Sequence, residues 1–331
     1  MGKYLTLFSS HTSYEEYING PDAILPNVSY CEDVEDVYFN PYVHDYSKDY
    51  LTFRIINSGY INWACGVEDG ATIEYKKNDG EWTSITANVE ERVTIDVVTG
   101  DIVQFRGDND AYVDNESGYA KGYFASSTCG FELEGNIMSM INSTGYSNIT
   151  AMTSGNNAAF SMMFDGCTGL TSAENLVLPA TTLAEQCYKY MFWNCTSLTT
   201  PPELPATTLA ESCYSSMFAG CTSLTTGPEL PATTLAVGCY GSMFNGCTSL
   251  TIAPELPATT LTGRCYRYMF DGCTNLNYIK CLATDISASD CTYNWVSSVS
   301  STGTFVKNPN MSSWTTGTDG IPTNWTVQDA S

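Results

Sequence analysis

Residues 217–224 read Met-Phe-Ala-Gly-Cys-Thr-Ser-Leu, and this stretch returns in near-identical form along the second half of the chain. The motif Met-Phe-x-(Gly/Asn)-Cys-Thr-x-Leu begins at five methionines: Met163, Met191, Met217, Met243 and Met269. After a first spacing of 28 residues, the copies follow one another every 26 residues. A fixed period of this length is typical of repeat architectures, in which each unit must stack on its neighbours to bury its apolar face.

Each unit is predicted to contain a short strand, a turn and a helix. The prolines of the recurring Glu-Leu-Pro-Ala-Thr-Thr-Leu segment, residues 203–209 in one copy, favour an extended chain over a helix. Four residues then recur at every fourth position and would form one inward stripe of a helix: Leu209, Cys213, Met217 and Cys221. The sequence therefore predicts an α/β leucine-rich-repeat solenoid over residues 135–295. A degenerate last copy around Cys291 and Trp295 leads into a predicted C-terminal cap over residues 296–331.

The first 134 residues have a different pattern. Residues 50–55, 92–97 and 102–105 alternate apolar with polar side chains, and an Asn-Asp-Gly hairpin signal begins at residue 78. We expect seven or eight short strands and hence an all-β sandwich over residues 46–134. Residues 1–45 are too few for a core of their own and are interpreted as an N-terminal arm that packs on another structure.

The charge of the chain excludes two classes of partner. The 331 residues carry a net charge of −23, and residues 1–145 hold 24 of the 36 acidic side chains. Phosphate contacts need clustered Lys and Arg, so we expect no nucleic acid and no anionic membrane as partners. No stretch of 18 apolar residues is present and the start lacks the apolar core of a signal peptide, so we expect neither membrane insertion nor secretion.

The repeat motif of residues 217–224 and its sister copies resembles the BspA-like class of bacterial leucine-rich repeats. Residues 4–8 and 25–30 are similar to the N-terminal attachment segments of fibre and decoration proteins in crAss-like phages of gut bacteroidetes, and residues 314–327 resemble the tail that follows such repeats in phages of these bacteria. The resemblance implies a structural protein at the virion surface, either a head fibre or decoration protein or a tail fibre. Residues 1–45 would then dock to capsid or tail proteins, and fibre architecture would imply a homo-oligomer. Bacterial members of the class usually carry a secretion signal, and a bacterial cell-surface adhesin is the alternative.

Nothing in the sequence favours catalysis, a cofactor or a metal. The only histidines, His11 and His44, lack a plausible partner in the sequence. One glutamate recurs in each repeat, which marks a structural register and not a unique pair of catalytic acids: Glu203, Glu229 and Glu255. The acidic loop of residues 108–116 lacks the order of a calcium-binding EF-hand and is interpreted as a solvated loop. We therefore expect a non-enzymatic protein without cofactors, with a glycan-acting enzyme as the remaining rival.

The fourteen cysteines are interpreted mainly as core residues. In four of the repeats two cysteines lie eight residues apart, as in Cys187 and Cys195, and no Cys-x-x-Cys pair supports a zinc site. Stacked apolar thiols are the favoured arrangement. Disulfides between neighbouring repeats are the alternative.

Comparison of the copies with one another separates each repeat into a constant and a variable set. Counted from Cys187, positions 0, 1, 4, 5 and 8 are constant, whereas positions 2, 3 and 6 vary and would point away from the core. Aromatic and basic residues are candidates for a recognition surface on that outer side: Lys189, Tyr190, Trp193, Arg264, Arg267 and Tyr268. We expect this surface to adhere to host-surface or mucosal glycan or protein. The alternative is that these positions vary because a solvated face has few constraints.

Overall fold

The computed structural model describes residues 44–68, 70–113, 120–125, 127–311 and 314–331. The chain divides into two compact units, residues 1–45 and residues 46–331. The predicted N-terminal arm therefore lies, except for its last two residues, outside the described residues.

The described residues are built almost entirely from strands and turns. The strands are β1 (Leu51–Asn57), β2 (Gly59–Ala64), β3 (Thr72–Lys77), β4 (Thr83–Thr86), β5 (Val93–Val97), β6 (Ile102–Arg106), β7 (Tyr123–Ala125), β8 (Gly130–Asn136), β9 (Leu170–Val177), β10 (Tyr278–Cys281), β11 (Thr304–Lys307) and β12 (Thr326–Asp329). The helical segments are short 3₁₀ turns: Tyr46–Lys48, Ile137–Met140, Tyr146–Asn148 and Ser154–Asn156.

Two sheets form the first half of this unit. One has the order β4-β3-β6-β1-β8-β9 and the other the order β5-β2-β7. Their apolar faces meet at Phe53 of β1, whose ring lies 4.7 Å from that of Phe124 in β7 and 4.6 Å from that of Phe131 in β8. Arg54 and Ile56 of β1 are exposed whereas Phe53 is buried, because successive residues of a strand point to opposite faces.

The larger sheet continues into the repeats. Strand β9, which belongs to the first repeat, pairs in parallel with β8, and Phe131 lies opposite Leu170 in their register. The sheet therefore crosses the boundary that the sequence analysis places between residues 134 and 135. The repeats begin as an extension of the sheet, and residues 46–331 form one compact unit.

The prediction of an α/β leucine-rich-repeat solenoid is wrong, because the segments expected to be helices are chains of turns. The described residues contain no helix of seven or more residues, and the longest helical segment is Ile137–Met140. We name the predicted helical segments the turn segments, which are residues 158–167, 184–195, 210–221, 236–247 and 262–273.

The backbone hydrogen bonds explain why a helix does not form. In residues 184–195 every second N–H donates to the next repeat, as from Tyr188 to the Cys213 carbonyl oxygen at 3.0 Å. The intervening N–H groups close turns within the repeat, as from Met191 to the Tyr188 carbonyl at 3.2 Å. Because half of the donors leave the segment, the continuous i to i−4 ladder of an α-helix cannot be made.

Every fourth residue of a turn segment has a positive φ, as in Gln186, Tyr190 and Asn194. The segment therefore repeats every four residues, where an α-helix repeats every 3.6. The constant positions of the repeat still fall on one inward side, and the described side chains at positions 0, 1, 4, 5 and 8 from Cys187 are fully buried. The sequence pattern thus placed the inner face correctly although it predicted the wrong element.

Columns of stacked aromatic rings run through the core of the repeats. One column joins Phe124, Phe164, Phe192, Phe218, Phe244 and Phe270, with neighbouring ring centroids 5.4 to 5.8 Å apart. A second joins Tyr188, Tyr214, Tyr240 and Tyr266, and Trp295 stacks on its last ring at 6.2 Å. Beyond Trp295, the segment predicted to be a cap adds β11 and β12 in parallel to β10. Residues 296–331 thus extend the stack and close it with Trp314 on Trp295.

Candidate binding face of the repeats

The six candidate residues lie on the side of the turn segments that faces away from the buried columns. We call this side the outward face, and it consists of the variable positions 2, 3 and 6 together with position −1, counted from Cys187. Arg264 and Trp193 are exposed, with 40% of the Trp193 surface accessible, whereas the other four candidate residues are half-buried. The residues form two separate groups, one at each end of the face.

The tryptophan cluster consists of Lys189, Tyr190 and Trp193. The rings of Tyr190 and Trp193 lie 5.6 Å apart at an angle of 53°. The Lys189 ammonium lies 5.3 Å from the Tyr190 ring centroid and donates to the Gln186 side chain at 3.3 Å. Two aromatic surfaces and one cation therefore stand together where the following copy has only Ser and Ala.

The arginine cluster contains Arg264, Arg267 and Tyr268 together with two residues that the sequence analysis missed, Asp290 and Tyr293. The Arg267 guanidinium lies 5.1 Å from the Tyr268 ring centroid and 5.2 Å from that of Tyr293, and the two rings meet edge to face. Asp290 lies 3.9 Å from both arginines. Both missed residues follow an arginine by 26 residues, so extending the repeat period into the degenerate last copy would have found them.

Between the clusters the outward face carries smaller side chains. At the variable positions the two intervening copies carry Ser215, Ser216, Ala219, Gly241, Ser242 and Asn245. Ser216 and Ala219 are only 7% and 5% exposed, so the floor is recessed below its two aromatic ends. We call this floor the saddle. Three repeat steps separate the clusters, which is roughly 14 Å at the spacing of hydrogen-bonded strands and roughly 18 Å along the tyrosine rings, whose steps are 5.7 to 6.3 Å.

The positive charge of the second half of the chain is concentrated on this face. After Lys121 the sequence contains five basic residues, and two of them belong to ion pairs elsewhere: Lys280 with Glu255 at 2.9 Å, and Lys307 with Asp329. The remaining three are Lys189, Arg264 and Arg267. The outward face therefore combines aromatic rings with cations in an otherwise acidic chain.

The cysteines of the repeats are free thiols packed inside the stack. The thiol of Cys221 donates to the carbonyl oxygen of Phe192 in the preceding repeat at 3.1 Å, and the bond recurs in the neighbouring copies. Burial raises the pKa of Cys213, Cys265 and Cys273 to about 12. A thiol held in its protonated form is a poor nucleophile, so these three cysteines serve as small core residues.

The other acidic features offer no comparable site. In the acidic loop, the Asp108 carboxylate accepts bonds from the Ser143 backbone and hydroxyl at 2.7 and 2.9 Å, and residues 114–116 lie outside the described residues. Glu229 and Glu255 line a shallow groove of about 390 Å³ whose other walls are mainly prolines. The described residues contain no group of three or more His, Cys, Asp or Glu side chains arranged to hold a metal.

None of the described segments is a helix with the length and apolar character needed to span a bilayer. Comparison of the chain with protein-family models, curated proteins and solved structures found no match.

Proposed function

We propose that this chain is a non-enzymatic adhesion protein of a virion surface, whose outward face binds host-surface or mucosal glycan or protein. The observation that carries the proposal is the pair of aromatic and cationic clusters at the two ends of a recessed saddle. Trp, Tyr and Arg are the residue types that contribute most to binding at protein surfaces. The sister copies show that the same positions accept Ser, Gly or Ala, so the fold itself does not require the larger side chains.

The support beneath the outward face suits a binding role. Each turn segment is tied to the next by hydrogen bonds from alternate residues, and the stacked rings fix the spacing of the copies. Side chains carried on such a framework lose little conformational entropy when a ligand binds. The clusters therefore lie on a preorganised surface.

The virion part of the proposal rests on the resemblance of residues 4–8 and 25–30 to attachment segments. In this arrangement residues 1–45 dock to capsid or tail proteins and the repeats face outward, and association of several copies gives a homo-oligomer. Many copies on one particle turn weak individual contacts into strong attachment.

The adhesive part is tested with substitutions copied from the sister repeats. Trp193→Ala and Tyr268→Ser introduce the residues found at the equivalent positions 219 and 242. We expect the double variant to lose at least tenfold in binding to host cells, measured by flow cytometry with labelled protein. Ile252→Ala, which truncates a side chain that is 53% exposed outside the outward face, is the matched control. Unchanged binding by the double variant would contradict the proposal and favour a merely solvated face.

The anchoring part is tested on purified particles. Particles that carry the chain without residues 1–45 should lose it during gradient purification. Full occupancy after the deletion would contradict the anchor. Immunogold labelling of infected cultures distinguishes the rival, because a bacterial adhesin would label the cell envelope and not the particles.

A further inference from the structure

The outward face has a distribution of charge that selects among ligands. Lys189, Arg264 and Arg267 are its cations, but they are not equivalent. Lys189 already donates to Gln186, and Arg267 is held between the rings of Tyr268 and Tyr293, where its Nε is buried without a hydrogen-bond partner. The Arg264 side chain is 63% exposed and its only acidic neighbour, among the described residues, is Asp290 at 3.9 Å. Arg264 is therefore the cation whose guanidinium is most available to an incoming anion.

Exposed carboxylates limit how much negative charge a ligand can carry. Glu185 and Glu211 are exposed and lie in the same turn segments as the tryptophan cluster and the saddle. At the other end, Asp271 is half-buried at position 6 of the copy that carries Arg264, and the exposed Asp290 lies 3.9 Å from both arginines. A polyanion such as nucleic acid or heparin would meet these carboxylates along its length, and like charges repel. The charge pattern thus fits a ligand with a single anionic group at one end.

The distance between the two clusters requires an extended ligand if both are to be contacted. The two clusters stand roughly 14 to 18 Å apart across the saddle, which is farther than one sugar ring can reach. The rings of Trp193 and Tyr190 offer flat apolar surfaces on which sugar faces stack, and the half-buried Ser215 and Ser242 of the saddle offer hydroxyl groups for hydrogen bonds.

From these features we infer that the outward face binds an extended oligosaccharide with one terminal anionic group, across the saddle, with the anion on Arg264 and a neutral sugar on Trp193. This inference rests on the proposed adhesive role of the same face. The planar guanidinium fork matches a carboxylate or a sulfate in a two-bond contact, so both anions belong to the inferred ligand class. The aromatic end contributes binding that does not depend on charge.

Arg264→Gly is a suitable probe because the fold accepts glycine there. Gly238 occupies the equivalent position one repeat earlier, and both residues have a positive φ, 61° and 59°. Lys280→Gln removes one positive charge from a different part of the repeats, where Lys280 pairs with Glu255, and so controls for the overall charge.

The experiment measures Kd by calorimetry for the full chain with three probes. They are a linear tetrasaccharide ending in sialic acid, the same glycan with its carboxylate reduced to an alcohol, and the neutral glycan with a terminal sulfate. We expect the wild type to bind one or both anionic probes at least tenfold more tightly than the reduced probe. Arg264→Gly should abolish this preference. Trp193→Ala should raise the Kd for all three probes, and Lys280→Gln should leave all three Kd values unchanged.

Two results would overturn the inference. One is equal Kd values for the anionic and reduced probes in the wild type, and the other is a preference that survives Arg264→Gly. Either result, together with intact host-cell binding that depends on Trp193 and Tyr268, would leave the adhesive function standing. Failure of the wild type to bind host cells would refute the adhesive function itself.

Discussion

At the scale of single residues, the outward face carries bulky side chains on an unfavourable backbone. Tyr190, Arg264 and Tyr268 have φ values of 58°, 59° and 55°, a region in which a Cβ atom is crowded and which glycine adopts at little cost. The equivalent positions elsewhere hold Gly238 and serines, and also Met162, Gln186 and Asp290. Every residue with a Cβ atom therefore costs stability here relative to glycine, and the backbone does not require the size of the Tyr and Arg side chains.

This cost gives a direct prediction for Arg264→Gly. Relief of the crowded backbone should outweigh the loss of a 3.9 Å contact with Asp290 between two substantially exposed side chains. We expect the free energy of unfolding to rise by about 0.5 to 1 kcal/mol in urea titrations. A loss of more than about 1 kcal/mol would show that Arg264 has a structural role.

Asp165 provides a second test at this scale. It occupies the position equivalent to Trp193 in the first repeat, and burial raises the pKa of its carboxyl to about 6 from 3.8. A raised pKa in the folded state means that stability present below pH 4 is lost as the pH rises through 6. Asp165→Asn should therefore stabilise the protein by about 1 to 2 kcal/mol at pH 7 and have no effect below pH 4.

The control for this substitution is Asp271→Asn, at the equivalent position four repeats later. The Asp271 carboxylate accepts a bond from the Asn245 amide at 3.3 Å. We expect no gain from Asp271→Asn in thermal melts at pH 7. A gain of equal size in both variants would mean that the effect reflects net charge and not the burial of Asp165.

The buried thiols predict a loss of stability in alkaline solution. Unfolded thiols titrate near pH 9, whereas burial raises the pKa of Cys213, Cys265 and Cys273 to about 12. Between these values the unfolded chain releases protons that the folded chain keeps, so the urea midpoint should fall steadily above pH 9. Replacing the three cysteines with alanine should make the fall shallower between pH 9 and 10. A midpoint that stays constant to pH 11 would contradict the burial of these groups.

At the scale of the repeat element, the sequence predicted the faces but not the backbone. The constant positions around Cys187, Tyr188 and Met191 recur every fourth residue, and both an α-helix and a chain of four-residue turns bury such a pattern on one side. What decides between them is the destination of the alternate N–H groups. Those bonds join residues 25 positions apart, such as Tyr188 and Cys213, and no local pattern reveals them.

Contacts between neighbouring repeats also explain why the candidate site was only partly predicted. Tyr293 and Asp290 complete the arginine cluster only because the degenerate copy keeps the register of the preceding repeat. The motif has decayed there, so comparison of intact copies did not include it. In a repeat stack, residues one period apart lie next to each other. At the ends of the stack, where the motif is degenerate, the period therefore identifies neighbouring residues better than the motif does.

The register of the stack can be tested by deletion. Removing residues 213–238 takes out one full period and joins Ser212 to Cys239, which restores every column. We expect a folded protein with a cooperative thermal transition and a far-UV circular dichroism spectrum without the bands of an α-helix. Removing residues 213–236 instead shifts the register by two residues and exchanges buried with exposed positions. Equal stability of the two deletions would contradict the stacked arrangement.

At the scale of the whole molecule, the structure supplies a continuous framework for one surface. The larger sheet passes from β8 into β9, the aromatic columns run on to Trp295, and β11 and β12 close the far end. The net charge of −23 keeps the molecule away from other anionic surfaces. Against this background the two clusters are the feature that distinguishes the outward face from a plain scaffold.

The adhesive role of the outward face can be tested by replacing its large side chains with small ones. A variant with all six candidate residues replaced by those of the middle copies carries Lys189→Ser, Tyr190→Ser, Trp193→Ala, Arg264→Gly, Arg267→Gly and Tyr268→Ser. Its Kd for immobilised host-cell surface extract, measured by biolayer interferometry beside the wild type, is the decisive quantity. We expect the wild type to bind, and we expect the sixfold variant to bind at least a hundredfold more weakly while it stays folded with an unchanged circular dichroism spectrum. Equal Kd values for the two folded proteins would contradict the adhesive role.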